Sequence, residues 1–148
     1  MEQYILDTCT WIEYFKDRNG VPAHVEAVGR KNLSASEVTL AELTVGAINS
    51  NDYERHIKEP QSLKRNITIY DISDVFEEYG LIRCALKEIK KGLDKEVGQF
   101  DMLIGATALH YNLTVVTDNI KHFSMMPGVK YENWVERSSS PYSTLNRM

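Results

Sequence analysis

The stretch that most constrains the fold of this chain is segment 100–119, an apolar helical run followed by an apolar strand. Asp101 stands at the head of a run with few polar positions, so a helix here must be buried on nearly all sides. Asn112 marks a break, and the β-branched run 114–116 predicts an interior strand followed closely by Asp118. Desolvating a charge is costly, so acids in such surroundings usually have a cationic partner. Both ends of the segment therefore point to a bound cation.

Around this segment, predicted strands and helices alternate, which indicates an α/β fold with a mainly parallel central sheet. The predicted strands are 4–6, 33–36, 67–70, 114–116 and 129–134. The other predicted helices are a short one carrying Trp11, one beginning at Pro22, 37–49, 53–65 with an interruption at Pro60, and one from Ser73 to Gly92.

Two serines are predicted to start helices. Ser34 and Glu37 have capping-box spacing before an apolar run, and Ser73 precedes the longest amphipathic helix. The apolar stripe of that helix has three- and four-residue spacing, which predicts a buried face. Its members are Val75, Tyr79, Ile82, Leu86 and Ile89.

Length and composition set the class of protein. The 148 residues suit one domain, predicted to span 1–135, and the serine-rich remainder, 136–148, is predicted to be a loose tail. Cys9 and Cys84 offer neither a disulfide framework nor zinc-ligand spacing, which favours a reducing cytoplasm. No signal peptide or membrane-spanning apolar run is visible. The net charge of −4 is not typical of a nucleic-acid-binding protein, so contact with nucleic acid would need a local basic patch.

Four acids stand in apolar or strand-end contexts, namely Asp7, Glu42, Asp101 and Asp118. Strand ends and helix starts share one edge of a parallel sheet, so three of these acids can meet there, while Glu42 lies within an apolar helical run. Carboxylates that meet without a cation raise one another's pKa, and a hard divalent ion removes that cost. All-oxygen ligation favours Mg²⁺ or Mn²⁺ and suits metal-assisted hydrolysis. The alternative is separate turn and cap roles, including a capping box formed by Thr39 and Glu42.

Three blocks of the sequence resemble the signature blocks of PIN-domain proteins, most of all the VapC toxins of toxin–antitoxin pairs. These blocks are 6–8, 38–46 and 100–119, and the likeness continues to Trp134. The resemblance implies a three-layer α/β sandwich with a mainly parallel sheet of four or five strands. It also implies a Mg²⁺- or Mn²⁺-dependent ribonuclease that inhibits translation by cleaving RNA such as tRNA.

The resemblance also assigns site residues. The family's catalytic and metal-binding acids correspond to Asp7, Glu42 and Asp101, and the fourth metal ligand corresponds to either Asp118 or Asn119. This fourth position stays open because the two residues are adjacent.

Four further positions lie close to these acids in the sequence, and two of them are predicted to support the site. Thr8 and Thr117 are predicted to support it by hydrogen bonds, with local backbone bonding as the alternative. Cys9 stands where the family usually has asparagine and is predicted to be a small packed residue. His122 occupies a position that is acidic in some relatives.

RNA binding needs a basic approach to the acids. The candidate phosphate contacts are Lys87, Lys90, Lys91, Lys95 and Lys121, and a solvated helix face is the alternative. The resemblance implies a VapB-like antitoxin that covers the acidic groove, and a homodimer. Two other functions stay open, a PIN-type RNA-processing or decay nuclease without an antitoxin and a degenerate PIN domain that only binds RNA or protein.

Overall fold

The computed structural model describes residues 1–137, and its centre is a five-stranded parallel sheet. The strands are β1 Tyr4–Leu6, β2 Leu33–Ser36, β3 Thr68–Tyr70, β4 Thr114–Val116 and β5 Lys130–Glu132. Their order is β3-β2-β1-β4-β5, so β1 lies in the middle and pairs with both β2 and β4. The predicted parallel sheet is confirmed, and the last predicted strand is its exposed edge.

Helices cover both faces of the sheet. They are α1 Thr8–Phe15, α2 Val21–Val28, α3 Glu37–Ile48, α4 Tyr53–His56, α5 Lys58–Asn66, α6 Phe76–Ile89, α7 Leu93–Val97, α8 Gln99–Tyr111 and α9 Ile120–Phe123. Ile5 and Val115 pack in one apolar cluster, whereas Leu6 and Val116 pack in another, because successive strand side chains point to opposite faces. None of the helices within residues 1–137 combines the length and apolar character needed to cross a membrane.

The buried helix predicted from segment 100–119 is confirmed as α8. Residues 102–108 are all buried, and Asn112 ends the helix in the left-handed conformation, with φ of 55°. Asp101 lies in its first turn, as the sequence indicates. The following strand, β4, is buried along its whole length between β1 and β5.

Both predicted serine caps are wrong. The hydroxyl of Ser34 donates to the backbone oxygen of Tyr4 across the sheet, and Ser36 caps α3 by accepting from the backbone N–H of Val38. The hydroxyl of Ser73 donates to Asp71 in a turn, so α6 begins only after the buried Val75. In each case the serine hydroxyl bonds to a group outside the helix and does not cap it.

Three helix boundaries also differ from the predictions. The chain breaks between α4 and α5 at Ile57, and Pro60 lies in the first turn of α5, where its missing N–H costs no helical bond. The helix α6 ends at Ile89, which is 58% exposed and so does not belong to the buried stripe. Gly92 instead precedes α7, a short helix that the sequence analysis missed.

The chain after β5 returns across the start of the fold. Trp134 is buried, with its ring 5.1 Å from that of Tyr4. The backbone N–H of Glu136 donates to the carbonyl oxygen of Asn19 at 2.6 Å. Glu136 and Arg137 begin the predicted loose tail, yet both bond to the domain. The rest of that tail, 138–148, lies outside the described residues.

The side chain of Met126 packs directly against α8 at Gly105. We expect Gly105→Ala to destabilise the fold by about 1–3 kcal/mol. A methyl group there would lie 2.5 Å from the sulfur of Met126, which is itself buried. The matched control is Gly80→Ala in α6, where nothing lies within 4 Å. It should stabilise the protein by about 0.5–1 kcal/mol through helix propensity. Urea unfolding measures both, and equal gains in stability would contradict the predicted clash.

Candidate active site

Asp7 follows β1 and caps α1 from a buried position. One carboxylate oxygen accepts from the backbone N–H and the hydroxyl of Thr10, at 2.9 and 2.7 Å, and the other accepts from the hydroxyl of Thr117 at 2.6 Å. Burial raises the pKa of this carboxyl, opposed by these hydrogen bonds and reinforced by the charge of Asp101. Within residues 1–137, Asp7 has no ion pair.

Glu42 faces the site from α3. Its carboxylate accepts from the hydroxyl of Thr8 at 2.6 Å, and that hydroxyl also lies 3.0 Å from the hydroxyl of Thr39. Partial burial raises the pKa of Glu42, and the charge of Asp101 adds to this. The alternative capping box of Thr39 and Glu42 is wrong, because α3 begins at Glu37 and the hydroxyl of Thr39 contacts Thr8.

Asp101 contributes the third carboxylate from the first turn of α8. One of its oxygens accepts from the side-chain amide of Asn119 at 3.1 Å and lies 3.0 Å from Nδ1 of His122. The backbone N–H of Asn119 donates to the hydroxyl of Thr117 at 2.8 Å. Because that same hydroxyl donates to Asp7, Thr117 connects the carboxylates of β1 and α8.

Asp118 points away from this group. Its carboxylate accepts from Asn133 at 2.9 Å and forms an ion pair with Arg137. The hydrogen bond from Arg137 is the main cause that lowers the pKa of Asp118, and the bond from Asn133 contributes. The structure therefore brings Asn119, and not Asp118, to Asp101.

The negative charge of the site affects the pKa of the nearby Cys9 thiol. Its pKa is raised to about 11, first by desolvation and then by the charges of Asp7, Asp101, Glu42 and Asp118. Cys9 is nevertheless exposed, so its prediction as a small packed residue is wrong. An exposed thiol with so high a pKa stays protonated at neutral pH and is a poor nucleophile.

The donor set fits a hard divalent cation. Asp7, Glu42 and Asp101 come from three elements, and in the described part of the chain only hydroxyl, amide and imidazole groups contact their carboxylates. Residues 1–137 contain no three acid, histidine or cysteine side chains already grouped at the spacing of one ion's ligands. Because burial and the charge of Asp101 raise the pKa values of Asp7 and Glu42, a cation between the carboxylates would relieve the repulsion.

The predicted lysine contacts lie on exposed surface. The helices α6 and α8 run antiparallel, since Glu78 near the start of α6 contacts His110 near the end of α8 at 2.7 Å. The carboxyl end of α6 therefore lies at the same end of the domain as Asp101. This end carries Lys87, Lys90, Lys91 and, in α7, Lys95, whereas Lys121 lies in α9 beside Asn119.

Three side chains support the acids without having been predicted to do so from the sequence: Thr10 and Arg137 directly, and Thr39 through Thr8. Thr10 has N3 spacing from Asp7, which is a recognisable capping signal. Thr39 has no such signal, because its partner Thr8 lies 31 residues away. Arg137 lies 19 residues from Asp118, and only the return of the chain after β5 brings them together.

Thr117→Val should lower the free energy of unfolding by about 1–3 kcal/mol, because it leaves a buried carboxylate oxygen and a backbone N–H without their shared partner. Thr117→Ser keeps the hydroxyl and is the matched control. Thermal or urea unfolding of both variants tests this, and equal losses would attribute the effect to packing of the methyl group instead.

Comparisons with known proteins agree on one family. A model of the PIN domain matches residues 4–127. The chain is 31% identical over 138 residues to the tRNA(fMet)-specific endonuclease VapC of Salmonella typhimurium, covering 90% of this chain and 99% of that protein. It is 29% identical over 136 residues to ribonuclease VapC1 of Haemophilus influenzae, covering 90% and 98%.

Solved structures show the same similarity. The fold matches a chain of DNA-bound VapBC from Salmonella typhimurium with a TM-score of 0.79 at 27% identity, over 90% of this chain and 99% of that one. It matches a chain of VapBC-1 from nontypeable Haemophilus influenzae with a TM-score of 0.75 at 27% identity, over 90% and 98%.

Proposed function

Because this chain belongs to the PIN-domain family and within it to the VapC ribonucleases, we propose that it is the endoribonuclease toxin of a VapBC-type pair. It hydrolyses phosphodiester bonds of RNA. The observation that supports catalysis in this chain is the group formed by Asp7, Glu42 and Asp101. Burial and the charge of Asp101 raise the pKa values of Asp7 and Glu42, and the three carboxylates contact only hydroxyl, amide and imidazole groups within residues 1–137, which leaves their negative charge for a cation.

Asp7, Glu42, Asp101 and Asn119 would hold Mg²⁺ or Mn²⁺. When bound, such an ion supplies a hydroxide nucleophile at neutral pH and neutralises charge on the phosphoryl oxygens. The hydroxyls of Thr117 and Thr8 orient the carboxylates of Asp7 and Glu42, each through a bond of 2.6 Å. These short bonds fix the direction of the donor oxygens before substrate arrives.

The substrate class we propose is tRNA, because the Salmonella relative is named as an endonuclease specific for tRNA(fMet). The lysines at the carboxyl end of α6, together with Lys95 and Lys121, would contact its phosphates. They are exposed and lie at the end of the domain that carries Asp101. A cytoplasmic location, where tRNA is found, follows from this proposal.

The proposed protein partner is a VapB-like antitoxin. Beside Glu42, a cavity of about 220 Å³ lies between α1, α3 and α5, with apolar walls from Ile12, Phe15 and Leu43. On the same helix Val45 and Ile48 are 65% and 69% exposed. An antitoxin segment with apolar side chains, seated there, would cover Glu42 and block substrate. A homodimer, usual in this family, stays a prediction.

A cleavage assay on total RNA and purified tRNA tests the function. We expect cleavage with Mg²⁺ or Mn²⁺, none after EDTA, and none with Asp101→Asn. Glu77→Gln is the matched control, because this exposed acid lies at the opposite end of the α6–α8 pair. Equal activity of wild type and Asp101→Asn, or activity that survives EDTA, would refute a metal-dependent nuclease. Growth arrest relieved by the product of a neighbouring gene would distinguish a toxin from a processing enzyme.

The fourth ligand position makes a separate prediction. Asn119→Ala should reduce cleavage by about tenfold or more, because its amide contacts Asp101. Asp118→Asn should keep activity within about threefold of wild type, because that carboxylate bonds to Asn133 and Arg137. Rates on one tRNA substrate measure both. A larger loss with Asp118→Asn would instead make Asp118 the ligand.

A further inference from the structure

Three side-chain atoms beside α8 lie unusually close together. The carboxylate oxygen Oδ2 of Asp101 is 3.0 Å from Nδ1 of His122 and 3.1 Å from Nδ2 of Asn119, and these two nitrogens are 2.6 Å apart. Asp101 comes from the first turn of α8, whereas Asn119 immediately precedes α9 and His122 lies within it. The three atoms therefore form a triangle of nearly equal sides between two elements.

Hydrogen bonding alone satisfies this triangle poorly. The distance between Asn119 and His122 is shorter than an ordinary hydrogen bond with a nitrogen donor, about 2.7–3.2 Å. A half-turn of the Asn119 amide exchanges its oxygen and nitrogen with almost no change in shape. The amide oxygen, the Asp101 oxygen and the imidazole nitrogen would then converge, each with a lone pair directed at the others.

The spacing of these atoms is that of ligands on one metal ion. Adjacent ligands of an octahedral ion with bonds of about 2.1 Å lie about 3.0 Å apart. The observed distances of 2.6, 3.0 and 3.1 Å fall around that value. Asp101 and Asn119 already belong to the proposed ligand set. His122 would add a nitrogen ligand to that set of oxygen ligands.

We infer that His122 is a metal ligand of this centre and makes it prefer Mn²⁺ to Mg²⁺. The inference rests on the proposed function and refines its cofactor. Imidazole nitrogen suits transition-metal ions, whereas Mg²⁺ favours oxygen ligands and keeps its waters. The all-oxygen site expected from the sequence does not discriminate between the two ions, whereas a nitrogen ligand favours Mn²⁺.

A purely structural role for His122 is the competing explanation. In that case Nδ1–H only donates to Asp101 and orients its carboxylate. Loss of activity in a variant would not separate the two roles, because both hold Asp101. A direct measurement of nitrogen bound to the ion does separate them.

The test is pulsed electron paramagnetic resonance of Mn²⁺ bound to the full-length protein, prepared without a histidine tag. We expect modulation from a directly coordinated imidazole ¹⁴N in the wild type. The signal should persist in His110→Ala, whose imidazole contacts Glu78 at the far end of α8, and vanish in His122→Ala. Because the wild-type spectrum needs no variant, misfolding of a variant cannot hide the result. A wild-type Mn²⁺ complex without ¹⁴N modulation overturns the inference.

Calorimetric titration supplies the second measurement. His122→Ala should weaken Mn²⁺ binding by about tenfold or more while Mg²⁺ affinity changes less than about threefold. His122→Asp should restore binding of both ions without the ¹⁴N signal. Equal weakening of both ions by His122→Ala would overturn the inference. Cleavage that is abolished by EDTA and by Asp101→Asn, in a protein lacking the ¹⁴N signal, would leave the proposed function standing and refute only the role of His122.

Discussion

Replacing Asp7 with asparagine should reduce RNA cleavage by at least about a hundredfold and leave the free energy of unfolding unchanged or higher. The carboxylate of Asp7 is only 3% exposed, and burial raises its pKa, so the fold disfavours the ionised form that metal binding requires. Asparagine removes that charge at nearly constant volume. Its amide oxygen can still accept both bonds from Thr10.

The matched control is Asp7→Ala, which removes the acceptor as well as the charge. It leaves the hydroxyls of Thr10 and Thr117 without their partner, so we expect a loss of about 1–3 kcal/mol in stability. Urea unfolding and tRNA cleavage on the same preparations measure both effects. Substantial cleavage by Asp7→Asn would contradict a metal-binding role for this acid, and a stability loss as large as that of Asp7→Ala would contradict the predicted destabilising effect of its buried charge.

The sequence predicts the sheet and the positions of Asp7 and Asp101 because both depend on strong, local signals. The strands β1 and β4 are largely apolar, and the ends of parallel strands share one edge with the starts of the helices. Asp7 and Asp101 therefore reach the same edge whatever the loops do. Glu42 required the family resemblance as well, since a glutamate inside a helix has several ordinary roles.

The choice between Asp118 and Asn119 could not be made from the sequence. The side chains of these neighbours point in different directions from the turn after β4, and the direction of each depends on partners that are distant in the sequence. Arg137 and Asn133 bond to Asp118, whereas Asp101 receives the amide of Asn119. None of these contacts has a local pattern, because each joins segments that only the finished fold brings together.

The capping serines were predicted wrongly for a related reason, although α3 does begin at Glu37 as predicted. Several serines near a predicted start can each act as a cap, and tertiary contacts decide which one is free. The hydroxyl of Ser34 donates to Tyr4 in the neighbouring strand, which leaves Ser36 to cap α3. The capping-box pattern considers only the next three residues and therefore cannot predict a hydrogen bond to a neighbouring strand.

The second large effect expected is stabilisation by a divalent ion that grows with pH. The pKa values of Asp7 and Glu42 are raised in the folded protein, so the folded state binds protons more tightly than the unfolded chain at these positions. Their contribution to stability is then greatest below their unfolded pKa values, about 4, and is lost as pH rises through the folded values. The two ionised carboxylates therefore oppose folding at neutral pH.

A bound cation reverses this penalty because it pairs with the ionised carboxylates. At a free Mn²⁺ concentration of one hundred times the dissociation constant, we expect stability to rise by about 2.7 kcal/mol at pH 7.5. The gain should be smaller at pH 5, where protons compete for the same oxygens. Urea unfolding with Mn²⁺ or EDTA at both pH values measures the effect. Asp7→Asn should lose most of the gain, whereas the Glu77→Gln control should keep it. A gain that is equal at the two pH values, or equal in Asp7→Asn, would place the stabilising ion away from the carboxylates.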